Sequence, residues 1–404
     1  MKKTLISQVV AGALFAVGAS ASAQVSDDAV NIGVLTDLSG IYSAIEGPGA
    51  VIAAEMAVKD FGGTVLGKQI NLTSADTQSK ADLSSSKARE MFERENVDMI
   101  VGNVSTSSAL AAMEVADQMK RIALVTGAAS LPITNERCNA YTVHWVYDTY
   151  ALAHGTGDAV VATGKKTWFF VTADYAFGHT LERDTSAVVL AAGGEVLGSV
   201  KHPIKTTDFA SYLAQAQASG AQVIGLANAG GDTIGSIKQA AELGVMGSDQ
   251  TVVPLLMFSA DIQALGLRDT QGMNFTVGWY WDYNEANRKF AERFMEQFRG
   301  VAPTSVQAGV YSATLNYLKA IDAVGTDNSD KVMEYLKSTP IDDGLFKGVI
   351  RQDGKFEHDM YLLQVKTPQE SKNRNDIASV VRVIPAAQAS LPLAQSTCKL
   401  VTGS

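Results

Sequence analysis

Cysteine and histidine are scarce in this sequence, and long apolar runs and nucleotide motifs are missing from it. Two cysteines, Cys138 and Cys398, stand 260 residues apart in a chain of 404, so no metal site is expected from them. The five histidines (His144, His154, His179, His202 and His358) show no H-E-x-x-H or other paired ligand spacing. There is no G-x-S-x-G elbow, no P-loop and no G-x-G-x-x-G turn. Asp37, Asp148, Asp174 and Asp282 are read as loop and cap residues rather than paired acid–base groups. An enzyme is therefore not expected, and neither a cofactor nor a metal is implied. The net charge of −9 argues against nucleic acid or an anionic membrane as partner.

What is present begins with a processing segment. Lys2 and Lys3, an apolar run from Leu5 to Val17 and the triplet Ala21-Ser22-Ala23 form a signal peptide, residues 1–23, cleaved near Ala23. The product is expected in the periplasm. No later stretch reaches the roughly 18 to 20 apolar residues that span a bilayer, so no membrane insertion is expected. In that oxidising compartment Cys138 and Cys398 are read as a disulfide, with two free thiols as the alternative. The rest of the chain is longer than one core usually organises, so two domains are expected.

From Asn31 the pattern alternates strand, loop and helix. Ile32–Leu35, Ile70–Leu72, Met99–Gly102 and Ile122–Val125 read as buried parallel strands, with helices over 49–61 and 81–93 and another opening after Ser105. The cycle restarts at Trp168–Val171, with further strands at 196–198, 223–226 and 254–258 and helices at 212–218 and 233–243. Helices follow at 284–298, 305–324 and 330–338, then extended chain; residues 366–404 give weak signals. Each half is an α/β layer structure whose loops gather at the carboxyl ends of the strands, where open parallel sheets bind ligands. The turn Gly102-Asn103-Val104-Ser105-Thr106-Ser107-Ser108 is the leading candidate, because a helix start leaves N–H groups free for a carboxylate. The other reading is that these hydroxyls only cap the helix.

The segments Ile32-Gly33-Val34-Leu35-Thr36-Asp37-Leu38-Ser39-Gly40, Gly102 to Ser108, Thr126-Gly127-Ala128-Ala129-Ser130 and Asp174-Tyr175-Ala176-Phe177-Gly178 resemble, in order, those of type I periplasmic solute-binding proteins of ABC importers, the leucine/isoleucine/valine-binding protein family. The resemblance implies two Rossmann-like lobes joined by a three-segment hinge. Lobe 1 would be 24–146 plus 283–346 and lobe 2 would be 147–282 plus 347–375, with 376–404 a C-terminal tail. Crossings would lie near 146–150, 278–282 and 346–351. It also implies a cleft that closes on a small ligand, a membrane permease as partner, and a monomer by default.

Carried over residue by residue, the carboxylate contacts fall on Ser105, Thr106, Gly127, Ala128, Ala129 and Ser130, and the closing aromatic on Phe177 or Tyr175. The amino-acid binders place an acid against the ligand ammonium in the loop after the strand that here reads Leu255-Leu256-Met257-Phe258-Ser259, and this chain has none in that stretch. The nearest acid, Asp261, either takes that part through a loop difference or caps the next helix. Tyr42, Trp145, Tyr147, Tyr175, Phe177, Met257, Phe258, Tyr280 and Trp281 instead supply an aromatic and thioether wall, and Asn228 and Asp282 complete the candidate ligand contacts. The expected ligand is an aromatic or other hydrophobic carboxylate. The alternatives are a branched-chain or other amino acid, or a ligand-sensing binder without transport.

Overall fold

The computed structural model describes residues 25–246 and 249–403; the signal segment lies outside them, apart from its neighbour Val25. The first lobe is built on a sheet of six strands: β1 Ala29–Thr36, β2 Thr64–Val65, β3 Lys68–Asp76, β4 Met99–Gly102, β5 Ile122–Val125 and β6 Thr142–His144. Their order is β2-β3-β1-β4-β5-β6, parallel except for the β2–β3 hairpin. The apolar run of β1 sits between β3 and β4, Ile32 facing Leu72 on one side and Met99 on the other. A strand flanked on both sides and covered on both faces carries no polar alternation, as its sequence shows. The chain leaves β1 toward β3 and then crosses back to β4, which opens a crevice at the carboxyl end of β1. Helices α1 Gly47–Phe61, α2 Ala81–Arg94 and α3 Thr106–Gln118 cover the sheet. α1 packs along the helix Ser305–Val324 on one face, and α2 packs on α3 on the other.

The second lobe holds β7 Thr167–Ala173, β8 Glu195–His202, β9 Val223–Ala227 and β10 Thr251–Pro254, all parallel, in the order β10-β9-β7-β8. The strand expected at 254–258 ends at Pro254; Leu255 to Phe258 form a loop, so a continuous apolar run here covers a strand end and the turn beyond it. The C-terminal region is also more ordered than its composition foretold. β11 Asn274–Val277 pairs antiparallel with β15 Met360–Val365, and β16 Ala378–Ile384 adds an outer strand to β15. Part of the expected tail is thus sheet. The remainder is anchored by the disulfide Cys138–Cys398, with a Cα–Cα distance of 5.7 Å.

Three segments cross between the lobes. The first two run through Val146 and Gly278. The third comes later than expected, because β13 Lys347–Ile350 pairs with β12 Ile341–Asp342 on one side and β14 Phe356–His358 on the other, and Lys355 bridges to His144 of β6. Residues 347–358 therefore stay with lobe 1, and the passage to β15 is at Asp359. The crossings meet at Gly278: a Cβ there would stand 2.6 Å from the Val146 carbonyl oxygen and 3.2 Å from His358 Cε1. His358 Nε2 reaches the Trp145 carbonyl at 3.2 Å, and burial holds its imidazole at a pKa of about 4. Beside it Lys355 Nζ contacts Asp148 Oδ2 at 2.7 Å in a buried pair. Burial opposes ionisation of Asp148, but Lys355 outweighs it and keeps the carboxyl below its usual range.

Because no side chain fits between these backbones, Gly278→Ala is expected to destabilise the protein by about 1–3 kcal/mol. Urea denaturation read by tryptophan fluorescence checks this, and an unchanged midpoint would mean that the crossings part easily.

Candidate functional site

The loops at the carboxyl ends of the two sheets face each other and enclose a narrow cavity of about 10 Å³. Lobe 1 contributes Tyr42 and Ile45 after β1, Val104 and Thr106 after β4, and Gly127 and Ala129 after β5; the first crossing contributes Tyr147. Lobe 2 contributes Tyr175 and Phe177 after β7, Ala229 after β9, and Leu256 and Phe258 after β10. The Tyr42 and Tyr175 hydroxyls meet at 2.8 Å across the cleft, so the lobes stand closed. A larger hollow of about 220 Å³ lies behind the hinge, lined by Gly278, Asn284, Phe346 and Tyr361 among others. It draws on none of the loops that follow the parallel strands.

The lobe 1 turns are fastened to one another through their backbones. The Asn103 N–H donates to the Leu35 carbonyl at 2.7 Å, and the Asn103 carbonyl accepts from the Ala128 N–H at 2.9 Å. Gly102, at φ 115°, makes the turn possible. Gly127 answers a different need, since a Cβ there would stand 2.7 Å from both Glu46 Oε1 and Val104 Cα. Ser105 occupies the N-cap of α3, yet no side chain bonds the free N–H groups of that helix. Its hydroxyl pairs with Ser107 at 3.1 Å instead. Thr106 is 1 % exposed, and its Oγ1 has no hydrogen-bond partner among the described residues. An unsatisfied hydroxyl and unsatisfied N–H groups at one helix start, against a cavity, form an anion-binding arrangement.

No ionisable acid or base lines the cavity. Several buried acids stand behind its wall, among them Asp37, which accepts the Tyr42 N–H at 3.2 Å, Asp232, Glu46 and Asp261. The Glu46 carboxylate accepts from the Thr36 and Thr126 hydroxyls at 2.6 and 2.8 Å, tying the loop after β1 to the one after β5. Burial pushes it up to about 7 despite those bonds. Asp261 is also pushed up to about 7 by burial. It accepts the Phe258 N–H at 2.9 Å and so caps the helix Ser259–Leu265, the second of the two roles the sequence left open.

Of the residues singled out from the sequence, Tyr42, Thr106, Gly127, Ala129, Tyr147, Tyr175, Phe177 and Phe258 come together in the lining. The others lie outside it for identifiable reasons. Ala128 turns toward the α2–α3 side of the sheet, packing with Val125 and Ile133, while its carbonyl accepts from His144 Nε2 at 2.6 Å. Ser105 is occupied by Ser107, and Ser130 starts the short helix Leu131–Thr134. Trp145 is fully buried, its Nε1 donating to Ser312 Oγ at 3.0 Å and its ring against Phe356. The Asn228 side chain is spent on Ser236, Thr233 and His202. Met257 belongs to the lobe 2 core, and Tyr280 donates there to the Ala378 carbonyl. Trp281 donates to the Asn375 carbonyl, and Asp282 pairs with Arg288 near the surface. Ile45, Val104, Ala229 and Leu256 line the cavity without having been anticipated, because an apolar residue in a loop carries no mark of the direction it faces.

The profile of a family described as Periplasmic binding protein matches residues 29–373. The chain belongs to that family. Within it, this periplasmic binding protein is of type I, the leucine/isoleucine/valine-binding protein family, whose members serve as substrate-binding proteins of ABC transporters. It is 27% identical over 345 residues to a Leu/Ile/Val-binding protein homolog of Brucella melitensis, covering 83% of this chain and 86% of the relative. A periplasmic binding protein of Burkholderia mallei shares 50% identity and superposes with a TM-score of 0.91, covering 92% of this chain and 99% of that one. A branched chain amino acid ABC transporter periplasmic ligand-binding protein of Burkholderia xenovorans shares 39% identity at a TM-score of 0.83, covering 92% and 100%. A solute binding protein of Rhodopseudomonas palustris, solved with 3,4-dihydroxy benzoic acid, shares the fold at 22% identity and a TM-score of 0.81, covering 91% and 99%.

In this periplasmic binding protein Glu46 should make stability pH-dependent in a definite sense. Its folded pKa, about 7, lies above the ordinary 4.5, so its contribution is fully present below the lower value and is lost as pH rises through the higher. Relative to Glu46→Gln, the wild type should therefore lose on the order of 3 kcal/mol between about pH 4.5 and pH 7. Urea titrations of both proteins across that range check it; parallel stability profiles would show Glu46 to be ionised in the fold.

Proposed function

We propose that this protein is the periplasmic component of an ABC importer that captures a small aromatic or other hydrophobic carboxylate between its lobes and presents the closed form to a membrane permease. The observation that carries the ligand class is the cavity lining, which offers a helix start and the unpartnered Thr106 hydroxyl to an anion but no acid to a cation. An ammonium buried there would lack a carboxylate partner, at a cost on the order of several kcal/mol. The remaining walls are rings and aliphatic groups, and with the lobes closed only about 10 Å³ is left between them, so a ligand enters when the lobes part. The Rhodopseudomonas palustris complex supports the reading to this extent: the same fold accommodates a benzoic acid.

The second reading is an amino acid, favoured by the 39% identical Burkholderia xenovorans relative, a branched chain amino acid ABC transporter ligand-binding protein. It would require Asp261 to give up its cap at Phe258 and turn into the cleft. A third, a binder that feeds a sensor, shares the same ligand site.

Calorimetric titration with benzoate and leucine separates the first two readings: tight leucine binding with none for benzoate would overturn the aromatic one. Thr106→Ala should weaken binding of the carboxylate by roughly ten- to a hundredfold, the worth of a hydrogen bond to a charged group. The melting temperature without ligand should hardly move, since the Thr106 hydroxyl bonds nothing in the fold. Unchanged affinity would place the carboxylate elsewhere.

A further inference from the structure

We propose that the hydroxyl pair of Tyr42 and Tyr175 is a specificity determinant that reads a second polar group on the ligand, besides its carboxylate. The inference rests on the carboxylate reading above and adds to it the class of acid preferred, one bearing a hydroxyl or alkoxy substituent.

The argument begins with protons. The two hydroxyls lie 2.8 Å apart, and each phenol carries one O–H. Their mutual bond consumes one proton, and among the described residues no other group accepts the second. Burial drives both phenols above their usual range, with Asp232 adding to the effect at each. The pair therefore stays protonated and presents one free donor together with lone pairs. Tyr147, the third hydroxyl in the lining, is already committed, donating to the Gly127 carbonyl at 2.7 Å.

Position matters as much as chemistry. Thr106 Oγ1 has no partner within hydrogen-bond distance, so it touches neither tyrosine hydroxyl. The cavity thus has two separate polar points, the start of α3 and the tyrosine pair. Ile45, Val104, Phe177, Ala229, Leu256 and Phe258 make up most of the remaining wall. A ligand that satisfies both points has an apolar body, a carboxylate and a second polar group. One member of the pair comes from each lobe, so the second polar group meets the complete pair only when the cleft is shut. Recognition of that group therefore adds to the stability of the closed form and not to the first encounter with lobe 1.

The test compares benzoate, 4-methylbenzoate, 4-hydroxybenzoate and 4-methoxybenzoate by calorimetry on the purified protein. Methyl and hydroxyl are close in size, so the ratio of their affinities reports polarity rather than filling of space. The wild type is expected to prefer the hydroxy acid over the methyl acid by roughly three- to tenfold. Tyr42→Phe and Tyr175→Phe should each shrink that ratio, and the double variant should bring it to about one. Both keep the ring, and melting curves verify the fold. Benzoate binding without a hydroxyl preference, or a preference that survives in the double variant, overturns the role of the pair while leaving the carboxylate reading intact. No binding of any aromatic acid overturns both.

Discussion

Val146, Gly278 and His358 belong to three different passages of the chain and meet with no room for a side chain between them. The first two passages follow the ends of β6 and β11, and the third lies between β14 and β15, so the hinge is held by short links between regular elements. Packing that leaves no slack in the hinge transmits rotation of one lobe directly to the other. The loops at the strand ends therefore meet in a fixed relation, and the contact between Tyr42 and Tyr175 is one result. The buried pair of Lys355 and Asp148 secures the same region electrostatically. It ties the turn between β13 and β14 to the cap of the helix that follows the first crossing.

The cleft is arranged to attract charge without carrying any. Its lining has no ionisable acid or base, and the acids nearest to it are buried where ionisation is costly. Glu46 and Asp261 both sit at the edge of ionisation near neutrality, so neither opposes an incoming anion as strongly as an ordinary surface carboxylate would. What remains facing the cavity is the partial positive end of α3, a feature of the backbone. Selectivity then falls to shape and to a few hydroxyls, each with a distinct hydrogen-bond state: Thr106 unpartnered, Tyr147 committed, Tyr42 and Tyr175 shared.

The parallel strands were legible because strands covered on both faces must be continuous in apolar residues, as Ile32–Leu35 and Ile122–Val125 are. The same property misled at 254–258, where the apolar run continues past the strand into the loop that closes the cavity. There the direction of each residue is set by the backbone beyond Pro254, which sends Leu256 and Phe258 into the cleft and Met257 into the core. Of the loop ends rich in Ser, Thr and Gly, those after β4 and β5 line the cavity on the lobe 1 side. Trp145, Trp281 and Asn228 lie outside the cavity lining, each with a polar atom already bonded within the protein, a fact of tertiary structure that composition does not encode. β16 was overlooked although Val380, Val381 and Val383 favour a strand, its signal being diluted by the polar segments on either side.

The disulfide acquires a second meaning from β16. That strand belongs to the sheet that carries β11 and β15, while Cys138 lies in lobe 1 between β5 and β6. The chain beyond Ile384 returns past Arg351, whose guanidinium donates to the Leu391 carbonyl at 2.8 Å, and past Asn135, which accepts the Thr397 N–H at 2.6 Å. It then ends in a covalent bond to Cys138. The lobes are therefore joined by a strap in addition to the three crossings. Its contour length sets a ceiling on how far the jaws can swing apart, as a check-chain does for a door.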